Sequence, residues 1–341
     1  MHAWRGHAYG PPESLAWEEV ADPELLDGAA RVLVKAAAVN YPDVLYCAGT
    51  YQVKPTPPFT PGMEVAGVVV ESRTPELPVG ARVASTLGGA GGYATHGIAY
   101  PMNSYRIPDA MTFEDASAMT ITYQTGWFAL HRRARIQPGE WLLVHAGAGG
   151  VGSAAIQLGK VAGAKVIATA GGARKVDVCR RLGADFVIDY SSEDFVAAVK
   201  KITGGHGADV VFDPVGGDVF DKSTKCIAWE GRIVIIGFTS GRIAEARTNH
   251  LLVKNYGVLG LHWGMYNMVD APGVVAAQRA IYDLYEAKKI APLVSERLPM
   301  SDAPAAMAKV ASRGTVGKIV LVPKGGPERP RLLDQTAVDA L

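Results

Sequence analysis

Four scarcities in the sequence each exclude a class of protein. There are three cysteines in 341 residues, Cys47, Cys179 and Cys226, and they lie far apart. That spacing builds neither a disulfide framework nor a four-cysteine zinc lobe. It is the usage of a reducing compartment, so a cytoplasmic location is expected. Neither charge sign is in excess: 34 Lys plus Arg face 33 Asp plus Glu, a net charge of +1. Wholesale binding of nucleic acid or of an acidic membrane is therefore not expected. Long apolar runs are missing as well. The uncharged stretch 141–159 is broken by glycines and by His145, Ser153 and Gln157, whereas a spanning helix needs about 20 mostly apolar residues. The first ten residues show no apolar segment behind a basic start, so no secretory signal is read there. Finally, the eight histidines show no metal-ligand spacing.

What is present is a chain that can bury a large core, with 48% hydrophobic and 20% charged residues and 39 glycines concentrated in places. Its length suits two domains. The first ~110 residues read as short strands and turns, with strands near 31–36, 64–71 and 80–85 and a glycine-rich turn at 88–92. Pro42, Pro55, Pro57, Pro58 and Pro61 exclude long helices between them. This predicts a β-rich, barrel-like unit.

The rhythm changes near Pro108. Thr112-Phe-Glu-Asp115 fits a capped helix start. Strands are then expected at 141–145, 165–169, 185–189, 209–213, 232–237 and 256–261, with helices such as 174–182 and 193–202 between them. Short apolar runs spaced by helices indicate parallel strands covered on both faces, here an α/β Rossmann fold with a doubly wound parallel sheet. A helix over 274–289 and a last strand at 317–323 return the chain to the β-rich unit. The expected domains are 1–118 with 270–341, discontinuous, and 119–269, the Rossmann part.

The strongest local signal is Gly147-Ala-Gly149-Gly150-Val151-Gly152. It follows an apolar strand, opens a helix and precedes a second strand within about 30 residues, the context that gives G-x-G-x-x-G its meaning. Gly147 is expected to permit the tight turn, Gly149 to let backbone approach a pyrophosphate, and Gly152 to allow close packing. The helix start then offers free N–H groups and a positive dipole end to phosphates. An NAD site would show an acid ~20 residues past the glycines, to hold ribose hydroxyls. This chain reads Thr169-Ala-Gly171-Gly-Ala-Arg174-Lys175, with no acid before Asp177. Donors and positive charge at Gly171, Arg174 and Lys175 favour a 2′-phosphate, hence NADP(H).

Several motifs together resemble the medium-chain dehydrogenase/reductase superfamily: Gly62-Met-Glu-Val-Ala-Gly67, the glycine turn, Asp213-Pro-Val-Gly-Gly217 and Gly317-Lys-Ile-Val-Leu321. Val39-Asn40-Tyr41-Pro-Asp43, Leu251-Leu-Val-Lys-Asn255 and His262-Trp-Gly-Met-Tyr266 look like its quinone oxidoreductase, zeta-crystallin-like branch. The likeness runs from about residue 1 to 323. It implies a GroES-like first domain and places Asn40, Tyr41, Asp43 and Tyr51 around the substrate; separately, the aromatic Trp263 is read as a lining residue of a pocket that accepts an aromatic substrate. By the same match Thr125 and Phe238 would lie near the nicotinamide, and Tyr190 and Arg313 would join Lys175 around the 2′-phosphate. Tyr51 is the candidate proton donor.

The zinc-dependent members of that superfamily carry Cys-His before the position of Asp43 and a histidine at the position of Met63. Tyr41-Pro42 and Met63 stand there instead. A catalytic zinc needs three N, S or O protein ligands, so zinc-independent chemistry is expected. Hydride transfer to an electrophilic acceptor then suits the chain better than alcohol oxidation. The expected activity is an NADPH-dependent reductase of quinones or α,β-unsaturated carbonyls. An enoyl-thioester reductase is the neighbouring alternative. A non-catalytic crystallin-like or RNA-binding role is the alternative of another class. The sixth strand of the sheet would be an exposed edge, which predicts pairing with its twin in a homodimer.

Overall fold

The structure is a computed structural model and describes residues 1–87 and 91–323. The glycine-rich turn expected at 88–92 lies partly outside the described residues, and the tail beyond 323 lies wholly outside them. The chain divides into two compact units. Among the described residues, the first holds 1–121, 270–286 and 291–323; the second holds 122–269 and 287–290.

The first unit opens with β1 (His2–Arg5) and β2 (Ala16–Glu19), which pair antiparallel. Next come β3 (Ala30–Ala38), helix α1 (Tyr41–Cys47), β4 (Glu64–Ser72), β5 (Arg82–Thr86), β6 (His96–Ala99) and β7 (Ser104–Arg106). Strands β3 and β4 are nine residues each, longer than the sequence pattern suggests. Apolar and small side chains line them: Val32 and Val34 point into cores, then Ala36, Ala37 and Ala38 are buried in succession. Helix α2 (Phe113–Trp127) starts where expected, with Thr112 Oγ1 accepting from the Asp115 N–H at 3.1 Å. A π-helical turn over Phe128–Ala134 follows and ends at Arg135, whose φ is 51°.

The second unit contains β8 (Trp141–Val144), α3 (Gly150–Val161), β9 (Lys165–Ala170), α4 (Ala173–Arg181), β10 (Phe186–Asp189) and α5 (Phe195–Ile202). It continues through β11 (Ala208–Asp213), α6 (Gly217–Cys226), β12 (Ile227–Ile235), α7 (Thr248–Lys254) and β13 (Gly257–Gly260). All neighbours are parallel, in the order β10-β9-β8-β11-β12-β13. Counted from β8 this is 3-2-1-4-5-6, the order of a dinucleotide-binding sheet. Its hydrophobic core includes Leu143, Ile167, Val211, Phe220 and Ile233. Strand β12 begins five residues before the expected Arg232. A register shift between Ala208 and Val210 accommodates the extra residues, where Glu230 has a φ of 57°.

The chain then returns to the first unit through the helix Ala271–Glu286, β14 (Val294–Pro299), the helix Ala303–Ala311 and β15 (Lys318–Val322). Strand β15 pairs antiparallel with β3, so the last strand closes onto one of the first. The sheet runs β14-β15-β3-β4-β5-β7, with β6 also on β3. The fold is therefore the α/β class expected, a Rossmann unit and a β-rich GroES-like one. Among the described residues no helix is long and apolar enough to cross a membrane.

Candidate functional site

In the second unit the turn from β8 into α3 is built almost without side chains. The left-handed residue is Ala146, with a φ of 51°, and not Gly147, which the sequence reading made responsible for the tight turn. Gly147 is needed for a different reason. A Cβ there would lie 2.9 Å from Cys179 Sγ and 3.0 Å from the Ala168 Cβ, so α4 and β9 close over it. At Gly152 a Cβ would lie 2.2 Å from the Ala146 carbonyl oxygen, which no adjustment of a side chain relieves. Gly149 differs from both: its nearest obstruction is the Ala146 oxygen at 3.2 Å, and the rest of that side is open. The turn is thus packed shut behind Gly147 and Gly152 and bare at Gly149. Its N–H groups at Gly150, Val151 and Gly152 open a twelve-residue helix, where first-turn donors have no intrahelical acceptor. These features fit a pyrophosphate.

The end of β9 carries the second half of the candidate site. Gly171 faces Tyr190, because a Cβ at Gly171 would meet the Tyr190 hydroxyl at 2.7 Å. Gly172 has a φ of 82° and precedes α4, whose first turn carries exposed Arg174 and half-buried Lys175. The structure therefore brings Gly171, Arg174, Lys175 and Tyr190 into one neighbourhood. It also brings an acid that the linear reading missed. Strand β10 pairs Asp189 with Ala170, and Asp189 Oδ1 accepts from the Gly172 N–H at 3.0 Å and from Ser191 N at 3.0 Å and Oγ at 2.5 Å. Those bonds, the Ser191 hydroxyl first, hold its carboxyl below the usual range. That oxygen is spent on the loop's own backbone and on Ser191.

Strand β11 ends at Asp213, whose Oδ1 accepts from Val215 N at 2.8 Å and Gly216 N at 2.9 Å. Its Oδ2 is buried without a hydrogen-bond partner, and burial raises its pKa. The Phe238 loop packs here, since a Cβ on Gly216 would lie 2.8 Å from the Phe238 ring. Thr125 is buried on α2. Trp263 donates its indole N–H to Gln124 Oε1 at 3.0 Å, so part of its polarity is spent inside the unit.

In the first unit Asn40, Tyr41 and Asp43 open helix α1. Asp43 has no exposed surface, and both its oxygens are in use. Oδ2 accepts from the Asn40 N–H and the Tyr93 hydroxyl, each at 2.8 Å, and Oδ1 from the Met63 N–H at 3.0 Å. Asp43, which the resemblance places around the substrate, ties the start of α1 to Met63 and Tyr93. Asn40 is held in the same way and is 6% exposed. Its Nδ2 donates to Glu64 Oε2 at 3.0 Å, and its Oδ1 accepts from Lys318 Nζ at 2.5 Å. Glu64, on β4, also accepts from the Ile121 N–H at 2.7 Å and lies 3.4 Å from Lys318 Nζ. Burial pushes Asp43 up to about 6, raises Glu64 and lowers Lys318. Tyr41 and Tyr51 are half-buried. Burial, with Asp43 adding to it, raises the Tyr51 phenol above its ordinary value. Arg313 is exposed at the end of the helix Ala303–Ala311, with a φ of 59°.

This donor set does not fit a catalytic zinc. Met63 offers a thioether where an imidazole is required. Cys47 is buried with its thiol pushed up to about 12, and Glu64 is held by Lys318. No group of three His, Cys, Asp or Glu among the described residues is placed to hold a metal.

Two family models match the chain: "Alcohol dehydrogenase GroES-like domain" over residues 27–109 and "Zinc-binding dehydrogenase" over residues 150–276. The chain is 37% identical over 310 residues to a quinone oxidoreductase-like protein 2 of Bos taurus, covering 90% of this chain and 88% of that protein. It is 30% identical over 332 residues to a 2-haloacrylate reductase of a Burkholderia species, covering 93% and 98% respectively. Among solved structures, the quinone oxidoreductase of Escherichia coli complexed with NADPH matches with a TM-score of 0.87 and 30% identity, over 95% of this chain and all (100%) of that one. With the sheet order, the glycine turn and relatives matched over nearly their whole length, the chain belongs to the quinone oxidoreductase-like branch of the medium-chain dehydrogenase/reductase superfamily.

Proposed function

We propose that this protein is an NADPH-dependent, zinc-independent reductase of quinones or α,β-unsaturated carbonyls. The observation that carries the reading is the glycine turn: bare at Gly149, closed behind Gly147 and Gly152, and followed by Arg174, Lys175 and Tyr190 around Gly171. Gly149, Gly150, Val151 and Gly152 would hold the pyrophosphate. Gly171, Arg174, Lys175 and Tyr190, with Arg313, would receive the 2′-phosphate. Thr125 and the Phe238 loop would border the nicotinamide, which supplies a hydride when the cofactor is bound.

The protein's own part is positioning and proton supply. A quinone or enone delocalises incoming charge by itself, so the absence of fitting zinc ligands at Tyr41, Pro42 and Met63 agrees with such acceptors. Asn40 and Asp43 fix the start of α1 and thereby Tyr41. Tyr51, or water, would give the proton that follows. Burial makes its phenol a weaker acid than usual, which leaves water a large share. Trp263 would line the acceptor's site. Strand β13 stands at the edge of its sheet, and its unpaired backbone groups support a homodimer built by edge pairing. A cytoplasmic location goes with the three reduced, buried cysteines.

The test is NADPH oxidation by chelator-treated protein, with a benzoquinone, phenanthrenequinone, a simple enone and an enoyl thioester in parallel, and NADH as the comparison. Turnover with NADPH after chelation is expected, and the preferred acceptor names the chemistry. Turnover with the thioester alone would replace the reading by enoyl-thioester reduction. Tight NADPH binding without turnover on any acceptor would replace it by a non-catalytic role.

A further inference from the structure

His145 follows the last residue of β8 and is 1% exposed. Its Nδ1 lies 3.0 Å from Thr169 Oγ1 and its Nε2 lies 2.8 Å from Ser223 Oγ. The Ser223 hydroxyl donates its single hydrogen to the Val219 carbonyl at 2.7 Å. It can therefore only accept from the imidazole, which puts the ring proton on Nε2 and leaves Nδ1 to accept from the Thr169 hydroxyl. The chain of bonds runs one way, from Thr169 through His145 and Ser223 to the carbonyl of Val219. It ties the ends of β8 and β9 to helix α6. Burial drives the imidazole pKa down to about 3, and both nitrogens are occupied, so the ring is a neutral fixture. The Phe195 ring packs on it edge to face at 5.0 Å.

The next residue is Ala146, the left-handed residue of the glycine turn. A non-glycine residue there costs about 1–2 kcal/mol and stays only where its surroundings impose it. Both sides of Ala146 are held. The His145 N–H donates to the Phe212 carbonyl at 3.1 Å, and the Gly147 N–H donates to the Thr169 carbonyl at 2.9 Å. Thr169 thus grips the turn twice, by its carbonyl directly and by its hydroxyl through His145. Two residues further on it leads into Gly171 and the loop that carries Arg174 and Lys175.

We propose that His145 is the positioning residue of the dinucleotide turn: through Thr169 and Ser223 it holds residues 146–152 in the shape that receives a pyrophosphate, and it sets the loop at 171–175 in register with them. The inference rests on the dinucleotide reading above.

The test compares wild-type protein with His145→Gln, His145→Phe and Ser223→Ala, measuring NADPH dissociation constants by nucleotide fluorescence and melting temperatures in the same samples. His145→Phe is expected to bind NADPH about tenfold more weakly, a difference of about 1.4 kcal/mol. His145→Gln keeps one acceptor and one donor and is expected within about threefold of wild type. At saturating NADPH, kcat is expected to be unchanged, since His145 touches no reacting atom. A lowered melting temperature with unchanged NADPH affinity in His145→Phe would overturn the proposal and leave a purely structural histidine. Should His145→Phe not fold, Ser223→Ala removes only the outer acceptor, and unweakened NADPH binding in it would overturn the proposal equally. Nitrogen NMR of the wild-type ring, with the His145→Gln spectrum as its assignment, should show a proton on Nε2 and none on Nδ1. The opposite tautomer would break the chain of bonds. Wild-type protein that binds no NADPH would overturn the dinucleotide reading, while the tautomer would still decide the hydrogen-bond chain.

Discussion

The glycine turn of the second unit and the buried network of the first are both packed centres, made by opposite means. The turn is assembled from seven successive residues and is mostly backbone, with side chains excluded at Gly147 and Gly152 because a Cβ there would collide. The network draws Asn40, Asp43, Glu64, Tyr93 and Lys318 from four places in the chain and consists of side chains, four of them ionisable and buried. The turn presents unspent N–H groups and suits a ligand. The network spends nearly every donor and acceptor on itself and suits a scaffold. A packed glycine turn therefore points to binding, whereas a fully satisfied charge cluster points to positioning.

The sharpest way to break this contrast is Lys318→Met. It leaves Glu64 buried without its counter-charge, and breaking a buried pair in this way costs about 3–5 kcal/mol. Chemical denaturation should show that loss, and a loss below about 1 kcal/mol would mean the network is not the scaffold described. Next in size is the pair Gly152→Ala and Gly149→Ala. Gly152→Ala drives a methyl into the Ala146 carbonyl and should lower both melting temperature and NADPH affinity, the latter by at least about a hundredfold (about 2.7 kcal/mol). Gly149→Ala meets only the Ala146 oxygen, at 3.2 Å, and should weaken NADPH binding while lowering the melting temperature far less than Gly152→Ala does. Equal effects of the two on stability would abolish the distinction between the closed and the bare side of the turn.

A third probe uses charge. Replacing both Arg174 and Lys175 by Ala should cost about tenfold in NADPH affinity and little in NADH affinity, measured by titration with each nucleotide. An equal loss for both would remove the 2′-phosphate from this loop. The fourth uses pH. Asp43 titrates at about 6 in the folded protein against an ordinary value of 3.8. The folded state therefore holds this proton more tightly than the unfolded one, and stability falls as pH rises from about 4 through about 6, then levels off. Relative to Asp43→Asn, the wild type should gain stability as pH is lowered from 7 to 5. A gap that does not change with pH would show Asp43 ionised throughout. The smallest effect is expected for Tyr51→Phe, a loss in kcat of less than about tenfold, because its buried phenol is a poor acid and water can supply the proton.

Much of the second unit was legible in the chain. Six apolar runs, helices between them and one glycine motif led to the doubly wound parallel sheet, because parallel strands buried on both faces leave a local signature. The site was legible only in part. Gly149, Gly152 and Lys175 could be named from spacing. Ala146 could not be, since nothing in its residue type announces a left-handed backbone. Asp189 escaped because it reaches Gly172 across strand pairing, 17 residues away in sequence. Asn40 and Asp43 were found, but their partners Glu64, Lys318, Met63 and Tyr93 were not, because a motif shows which residues matter and not which way they face. Three hydroxyl and imidazole groups 24 and 54 residues apart (positions 145, 169 and 223) carry no sequence pattern at all.

By itself the sequence determined the local matters: which segments are strands and which helices, where a helix start meets a glycine-rich turn, and that neither a Cys-His pair nor a histidine at position 63 stands where zinc would need it. Those follow from short-range sterics and periodicity, which depend on neighbours in the chain. Tertiary structure alone decided which buried polar groups found partners. Lys318 meets Glu64 only after the last strand pairs with β3, and His145 meets Ser223 only after α6 packs on its sheet. Hydrogen bonds and desolvation act over a few ångströms of space, whatever the distance along the chain.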